Sequence, residues 1–276
     1  MPPAAGAPPV YAVFVSPHGF GHAARASAVM RALRELEGAR FELFATTPPW
    51  FFDEVVEGAY TYHEVVTDVG LRQRSALEHD LEATVEALDD FLPFDEERVG
   101  ELAAVVRKAG ARAVLCDIAP LGIAVAERAG LPSMLVENFT WPWLYEPLVP
   151  RAPEMAEHAR ELDGWLRRAT LHVQTEPLCV RDPSADLVLP PMGRRPRRSR
   201  REVRAELGLP ARAPVVVLTM GGVDQELPFL ERLKELPEVR FLVTGVERTR
   251  REENLHLFDN RTHIYLPDFL RAADAV

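Results

Sequence analysis

Short, almost uninterrupted apolar runs alternate with amphipathic helical stretches as far as Thr175, and this alternation constrains the fold more than any other feature of the chain. The run VYAVFV at 10–15, bounded by Ser16-Pro17, has the β-branched and aromatic content of a buried strand. After it, Ala26, Val29, Met30, Leu33 and Leu36 recur at helical spacing and Gly38 supplies a stop. The segment FELFAT at 41–46 reads as the next strand, completing a βαβ unit. Further strands are expected at 60–66, 113–116, 133–137 and 171–175, and helices at 77–91, 96–108, 121–129 and 154–169. Apolar strands separated by helices imply an α/β fold, with a parallel sheet covered on both faces.

Composition changes at Leu189-Pro190-Pro191-Met192-Gly193, where two prolines and a glycine lead into an arginine run. The expected organisation is a tail at 1–9, a first domain at 10–189, a linker at 190–208 and a second domain at 209–276. Beyond the boundary at 189–193 a helix at 200–207 ends at Gly208. A strand at 215–219, the loop Met220-Gly221-Gly222, a helix at 226–236 and strands at 240–244 and 262–266 follow. The chain stops at Asp274-Ala275-Val276, on what reads as the start of another strand. Such sheets usually hold about five or six strands, so this domain is expected to be incomplete. Its open edge invites a homodimer.

The 276 residues carry a formal charge of −10. Seven arginines against Glu202 give +6 over 194–204, which leaves −16 for the remainder. An acidic body repels a phosphate backbone, so the run reads as a solvated linker and a nucleic-acid partner is not expected. Of the 32 basic residues only Lys108 and Lys234 are lysines, so an arginine cluster carries little information here. No run of about 18 apolar residues exists, and the first ten residues lack the basic and apolar regions of a secretory signal. No membrane span is expected. Two cysteines make neither a disulfide framework nor a four-ligand zinc site, and the expected compartment is the cytoplasm.

In a doubly wound sheet, ligands bind at the carboxyl ends of the strands, where the first βα loop presents backbone N–H groups and a helix dipole. That loop is Ser16-Pro17-His18-Gly19-Phe20-Gly21-His22. Two glycines permit close approach of a ligand, and His22 at the helix start can take a proton from a hydroxyl as a neutral imidazole. The same spacing fits a glycine turn whose histidine only caps or packs. Ala24 occupies the third position of a dinucleotide fingerprint, and neither a P-loop nor a G-x-S-x-G elbow occurs. His18 and His22 have no acidic or cysteine partner at fixed spacing, so no metal site is expected. Asp117 ends one strand and Glu137-Asn138-Phe139-Thr140-Trp141 follows another, where these residues face the same crevice or serve as turn and core. Trp141 offers a flat surface of the kind sugars stack on; Trp143 reads as a core aromatic.

The segment VSPHGFGHAARASAVMRAL resembles the start of the acceptor domain of GT-B glycosyltransferases, where a G-x-G-H turn follows the first strand. It is nearer still to the subgroup that includes the amino-terminal domain of plant L-arabinokinases. The likeness runs on through LCDIAPLGIAVAERAGLPSMLVENFTW, RRSRREVRAELGL, LTMGG and HIYLPDFLRAADAV, nearly the whole chain. It implies two Rossmann-like domains and inverting, metal-independent transfer of a sugar from a UDP-sugar, a co-substrate rather than a cofactor, to an acceptor hydroxyl. His22 matches the general base, with Asp117 orienting it. His18, Gly19, Phe20, Gly21, Glu137, Asn138, Thr140 and Trp141 form the candidate acceptor set. Gly221 and Gly222 match a loop near the donor phosphates, and Tyr265, Leu266, Asp268 and Phe269 match the stretch that meets the nucleobase; Arg194 and Gly245 complete the candidate donor set.

The sequence departs from the family pattern at its end: the glycine loop and acidic helix that hold the donor diphosphate have no counterpart, so a truncated donor domain is expected. The kinase half of arabinokinases has no counterpart either, and ATP-dependent sugar phosphorylation is not expected. The alternative function is a noncatalytic sugar or nucleotide-sugar binding module.

Overall fold

The computed structural model describes residues 6–75, 78–219, 227–259 and 265–276. Contacts group the chain into two compact units, Met1–Arg72 with Asp80–Gly193, and Gln73–His79 with Arg194–Val276.

The first unit opens with β1 (Val10–Val15), α1 (Phe20–Glu37), β2 (Arg40–Ala45), α2 (Pro49–Val56) and β3 (Tyr60–Glu64). The short strands β4 (Gln73–Ser75) and β5 (Glu78–His79) pair antiparallel and group with the second unit. Then come α3 (Leu81–Phe91), α4 (Glu96–Lys108), β6 (Ala111–Asp117), α5 (Pro120–Ala129), β7 (Ser133–Glu137), α6 (Trp141–Tyr145), α7 (Met155–Leu166), β8 (Leu171–Thr175) and β9 (Leu187–Leu189). Seven strands form one sheet in the order β3-β2-β1-β6-β7-β8-β9, and every pairing in it is parallel. The connection reverses between β1 and β6, which opens a crevice at their carboxyl ends.

Alternating residues of the strands feed two cores. Val13, Val15, Leu43 and Leu115 pack under α1 and α2, while Phe14, Phe44, Cys116 and Leu135 pack on the opposite face with the helices α3, α4, α5 and α7. Gly122 lets α5 lie close to the sheet: a Cβ there would come within 2.7 Å of Cys116 Sγ and Phe14 Cγ. Asp80 and Asp95 cap α3 and α4 by accepting backbone N–H bonds, which fixes where these helices begin.

In the second unit, α8 (Arg200–Glu206), β10 (Val215–Leu218), α9 (Leu230–Lys234), β11 (Arg240–Val246), β12 (Arg250–Glu252), β13 (Leu255–Asp259) and α10 (Leu266–Ala272) follow one another. The sheet order is β10-β11-β13-β12, with β12 antiparallel to β13. Ala275 makes a parallel bridge to Val216 on the far side of β10.

Several expectations change. The helix α1 begins at Phe20 rather than His22, so His22 is its third residue. The segment PWFFDEVV forms α2, which no periodicity announced. The helix expected at 77–91 starts only at Leu81, and that expected at 226–236 contracts to Leu230–Lys234 among the described residues. Leu266, expected to end a strand, starts α10 instead, because Pro267 suits the first turn of a helix. The arginine run is only partly solvated: Arg195, Arg197 and Arg201 are exposed, while other members are docked. Arg204 is buried, donating to the carbonyls of Ala211, Ala213 and Ala272 and to Asp274, and Arg200 pairs with the same aspartate. A Ser199–Glu202 capping box starts α8 there.

Candidate active site

The turn between β1 and α1 is shaped by Gly19, whose φ of +72° favours glycine, and it delivers His22 to the end of β6. His22 Nδ1 lies 2.8 Å from Asp117 Oδ1, with both side chains buried. Three residues further along α1, Arg25 donates to the same carboxylate from Nε at 2.7 Å and from Nη2 at 2.6 Å. Its Nη1 donates to Asn138 Oδ1 at 2.7 Å. Burial raises the carboxyl of Asp117, but the hydrogen bonds from His22 and Arg25 and the guanidinium charge outweigh it and hold the group below its usual range. An ionised carboxylate only accepts, so Nδ1 of His22 carries the proton and Nε2 is the nitrogen left for a ligand.

A cavity of about 320 Å³ lies over these groups, lined by His18, Gly21, His22, Arg25, Asn138, Phe139, Thr175, Glu176, Pro177, Pro191 and Met192. All belong to the first unit. Beneath the turn is a second buried carboxylate. Asp68 accepts from Ser16 Oγ at 2.8 Å, from the indole Nε1 of Trp141 and from the Gly70 backbone N–H at 3.3 Å. Burial pushes its carboxyl up to about 6 despite these bonds. Gly70 is required there: with φ at +67°, a Cβ would stand 3.0 Å from His18 Nδ1 and 3.1 Å from the Trp141 ring.

The structure brings together His18, Gly21, His22, Asp117 and Asn138, and separates other candidates from them. Glu137 shares the face of Leu135, the side of the sheet opposite α1, and accepts from His172 Nε2 and Gln174 Nε2 at 2.8 Å each. Trp141 is 1% exposed, hydrogen-bonded to Asp68 and set edge-on to His18, so it offers no face to the cavity; Trp143, expected in the core, is 40% exposed. Phe20 stacks on Phe51 of α2 rather than lining the cavity. Gly19 acts through its conformation, and Thr140 stands at the start of α6, outside the cavity lining. Arg25 and Asp68 are site residues that the sequence did not single out, and Phe139 lay in the stretch expected to face the crevice without being placed in the acceptor set. The i, i+3 spacing of His22 and Arg25 was the available signal for the first.

Among the donor candidates, Gly221 and Gly222 lie outside the described residues. Gly245 sits with φ at +84° where the register of β11 shifts. Tyr265 is held by Arg194 and Arg197, whose guanidinium carbons lie 5.0 and 3.8 Å from its ring centre. Its hydroxyl donates to the carbonyl of Arg195. Asp268 is not open to a ligand in the way expected: it is buried and accepts from the backbone N–H groups of Arg197 and Arg198 and from Arg198 Nε. Leu266 and Phe269 pack into the core beside Phe258. Among the described residues no group of three or more His, Cys, Asp or Glu is placed to hold a metal ion, and no helix is long and apolar enough to cross a membrane.

Solved structures share this architecture over most of the chain. The glycosyltransferase of kitacinnamycin superposes with a TM-score of 0.56 at 20% identity, over 96% of this chain and 74% of that one. The chain has the GT-B fold. A Phytolacca americana glycosyltransferase, solved with UDP-2-fluoro-glucose and pterostilbene, matches this GT-B chain with a TM-score of 0.56 at 14% identity, over 92% of this chain and 72% of that one. The calicheamicin glycosyltransferase CalG4 gives 0.55 at 16% identity, over 95% and 72%. In sequence, L-arabinokinase of Arabidopsis thaliana is 29% identical over 279 residues. That alignment covers 97% of the GT-B chain, which spans about a quarter (26%) of the kinase's length. No protein-family profile matches.

Proposed function

We propose that this GT-B chain transfers a sugar from a nucleotide-sugar, UDP-linked as in the Phytolacca complex, to an acceptor hydroxyl held against the first unit. The observation that carries the reading is the buried His22–Asp117 pair at the switch point of the sheet, facing a cavity. As the acceptor oxygen bonds to the anomeric carbon, its proton passes to His22 Nε2, and the bond from that carbon to the diphosphate oxygen breaks with its electron pair leaving on the phosphate. Asp117 holds the ring through Nδ1 and balances the imidazolium charge that forms. A single displacement of this kind inverts the anomeric centre and asks for no metal at the base.

The test is UDP release and product formation from a panel of UDP-sugars, in chelator, with the anomeric configuration read by NMR. A retained anomeric configuration or a metal requirement overturns the mechanism. Nucleotide-sugar binding without turnover, unchanged by His22→Ala, favours the noncatalytic binding module.

A further inference from the structure

The transfer step needs one group from the cavity wall, a proton acceptor, which His22 Nε2 supplies. The wall carries a second group whose orientation is equally fixed. Arg25 is 8% exposed and held on Asp117 by two bonds, and its third donates to Asn138 Oδ1. A guanidinium N–H can meet only the oxygen of an amide, so Asn138 presents its Nδ2 donors on the side away from Arg25. Asn138 and His22 line the same cavity, and both are referenced to one carboxylate, so acceptor and donor stand in a set relation.

An amide donor on the reacting oxygen would draw on the lone pairs with which it attacks, whereas a second oxygen on the same molecule can accept that bond at no such cost. Phe139 and Met192 add apolar surface of the kind that meets the C–H face of a saturated ring. The volume, about 320 Å³, stands at the small end of ligand cavities, which run from about 300 to 1,000 Å³.

Building on the transferase reading above, we propose that the acceptor is a small polyhydroxylated ring, a sugar or a cyclitol, whose reacting hydroxyl faces His22 and whose neighbouring oxygen accepts a hydrogen bond from Asn138 Nδ2. Asn138 is then the specificity-determining residue, and Arg25 the residue that positions it.

Binding measured by saturation-transfer NMR on the full chain tests this without requiring turnover. The probes are cis-1,2-cyclohexanediol and cyclohexanol, which share a ring and differ by the second hydroxyl. Wild type is expected to prefer the diol about tenfold, the scale of one well-made hydrogen bond. Asn138→Asp keeps an oxygen for Arg25 and removes the donor, and Arg25→Gln releases the amide; each is expected to bring the preference close to one, with the far-ultraviolet spectrum unchanged. Equal binding of the two probes by wild type, no diol binding at all, or an undiminished preference in Asn138→Asp overturns the assignment. Asn138-dependent diol binding in a chain that transfers no sugar upholds the polyol site and sinks the transferase reading alone.

Discussion

Asp117 holds His22 and Arg25 on one carboxylate: its Oδ1 lies 2.8 Å from His22 Nδ1 and accepts from Arg25 Nη2 at 2.6 Å. The proposed base and the cation that shares its carboxylate are therefore neighbours on one face of α1, and removing either leaves the other with a buried, altered counterion.

Removing His22 takes away the proton acceptor while leaving the second unit untouched. In steady-state assays with a UDP-sugar, His22→Ala is expected to lower turnover about a hundredfold or more, and Asp117→Asn to lower it in the same direction. His18→Ala, which removes a side chain from the cavity lining but no proposed proton acceptor, should be milder. Wild-type turnover in His22→Ala discards the base assignment.

Arg25 shapes the acid limb of stability. A carboxyl whose folded value is depressed stabilises the fold above its unfolded value, near about 3.9, and loses that contribution as pH falls through the folded value. In Arg25→Gln the burial of Asp117 is less opposed, its folded value climbs, and the contribution disappears at higher pH than in wild type. Urea midpoints across an acid pH series should show the variant falling first; superimposable profiles would reject the clamp.

Asp68 has the opposite sign. Below its unfolded value it is protonated in both states and costs nothing; above the folded value, about 6, the full cost of ionising a buried carboxyl is present. The shift from 3.8 to about 6 corresponds to roughly 3 kcal/mol. Relative to wild type, Asp68→Asn should therefore gain stability as pH rises from about 4 to about 8. Denaturation at both pH values measures the gap, and a pH-independent difference contradicts the assignment.

Two helical glycines should respond oppositely to alanine. Gly122→Ala drives a Cβ to within 2.7 Å of Cys116 and Phe14, an overpacking expected to cost about 1–3 kcal/mol. Gly100 in α4 has open space at its Cβ position, and alanine there should add about 0.5–1 kcal/mol. Thermal midpoints that move the same way would show that α5 does not lie so close to the sheet.

In the second unit, Arg204→Ala leaves the carbonyls of Ala211, Ala213 and Ala272 without their donor and should cost about 2–4 kcal/mol. Exposed Arg201 serves as the control, with Arg201→Ala near neutral. Tryptic cleavage of the folded chain should spare Arg204, and early cutting there would contradict the docked linker.

Apolar content and spacing were enough for the elements whose burial is local. The strands β1, β7 and β8 and the helix α4 have the bounds expected for them, because short β-rich apolar segments and Asp95 carry their own signal. The helix α2 escaped because an aromatic cluster after proline has no period to read, whereas LHLFD of β13 went unassigned although it carries the same kind of pattern as LHVQT of β8. Asp68 was invisible for a related reason: it lies in an irregular stretch, and only the closure of that stretch over Ser16 and Trp141 makes its carboxylate part of the site.

By itself the sequence determined the α/β class, the parallel sheet, the glycine turn before α1, and the placement of His22 near the start of that helix and of Asp117 at the end of a strand, since each follows from neighbours within a few residues. Tertiary structure decided which polar side chains meet. Arg25 reaches partners 92 and 113 residues away, and Glu137, the last residue of β7, and Asn138, in the bend just after it, part to different surroundings. Strand order and register, which place β6 between β1 and β7, set those meetings, and no local spacing encodes them.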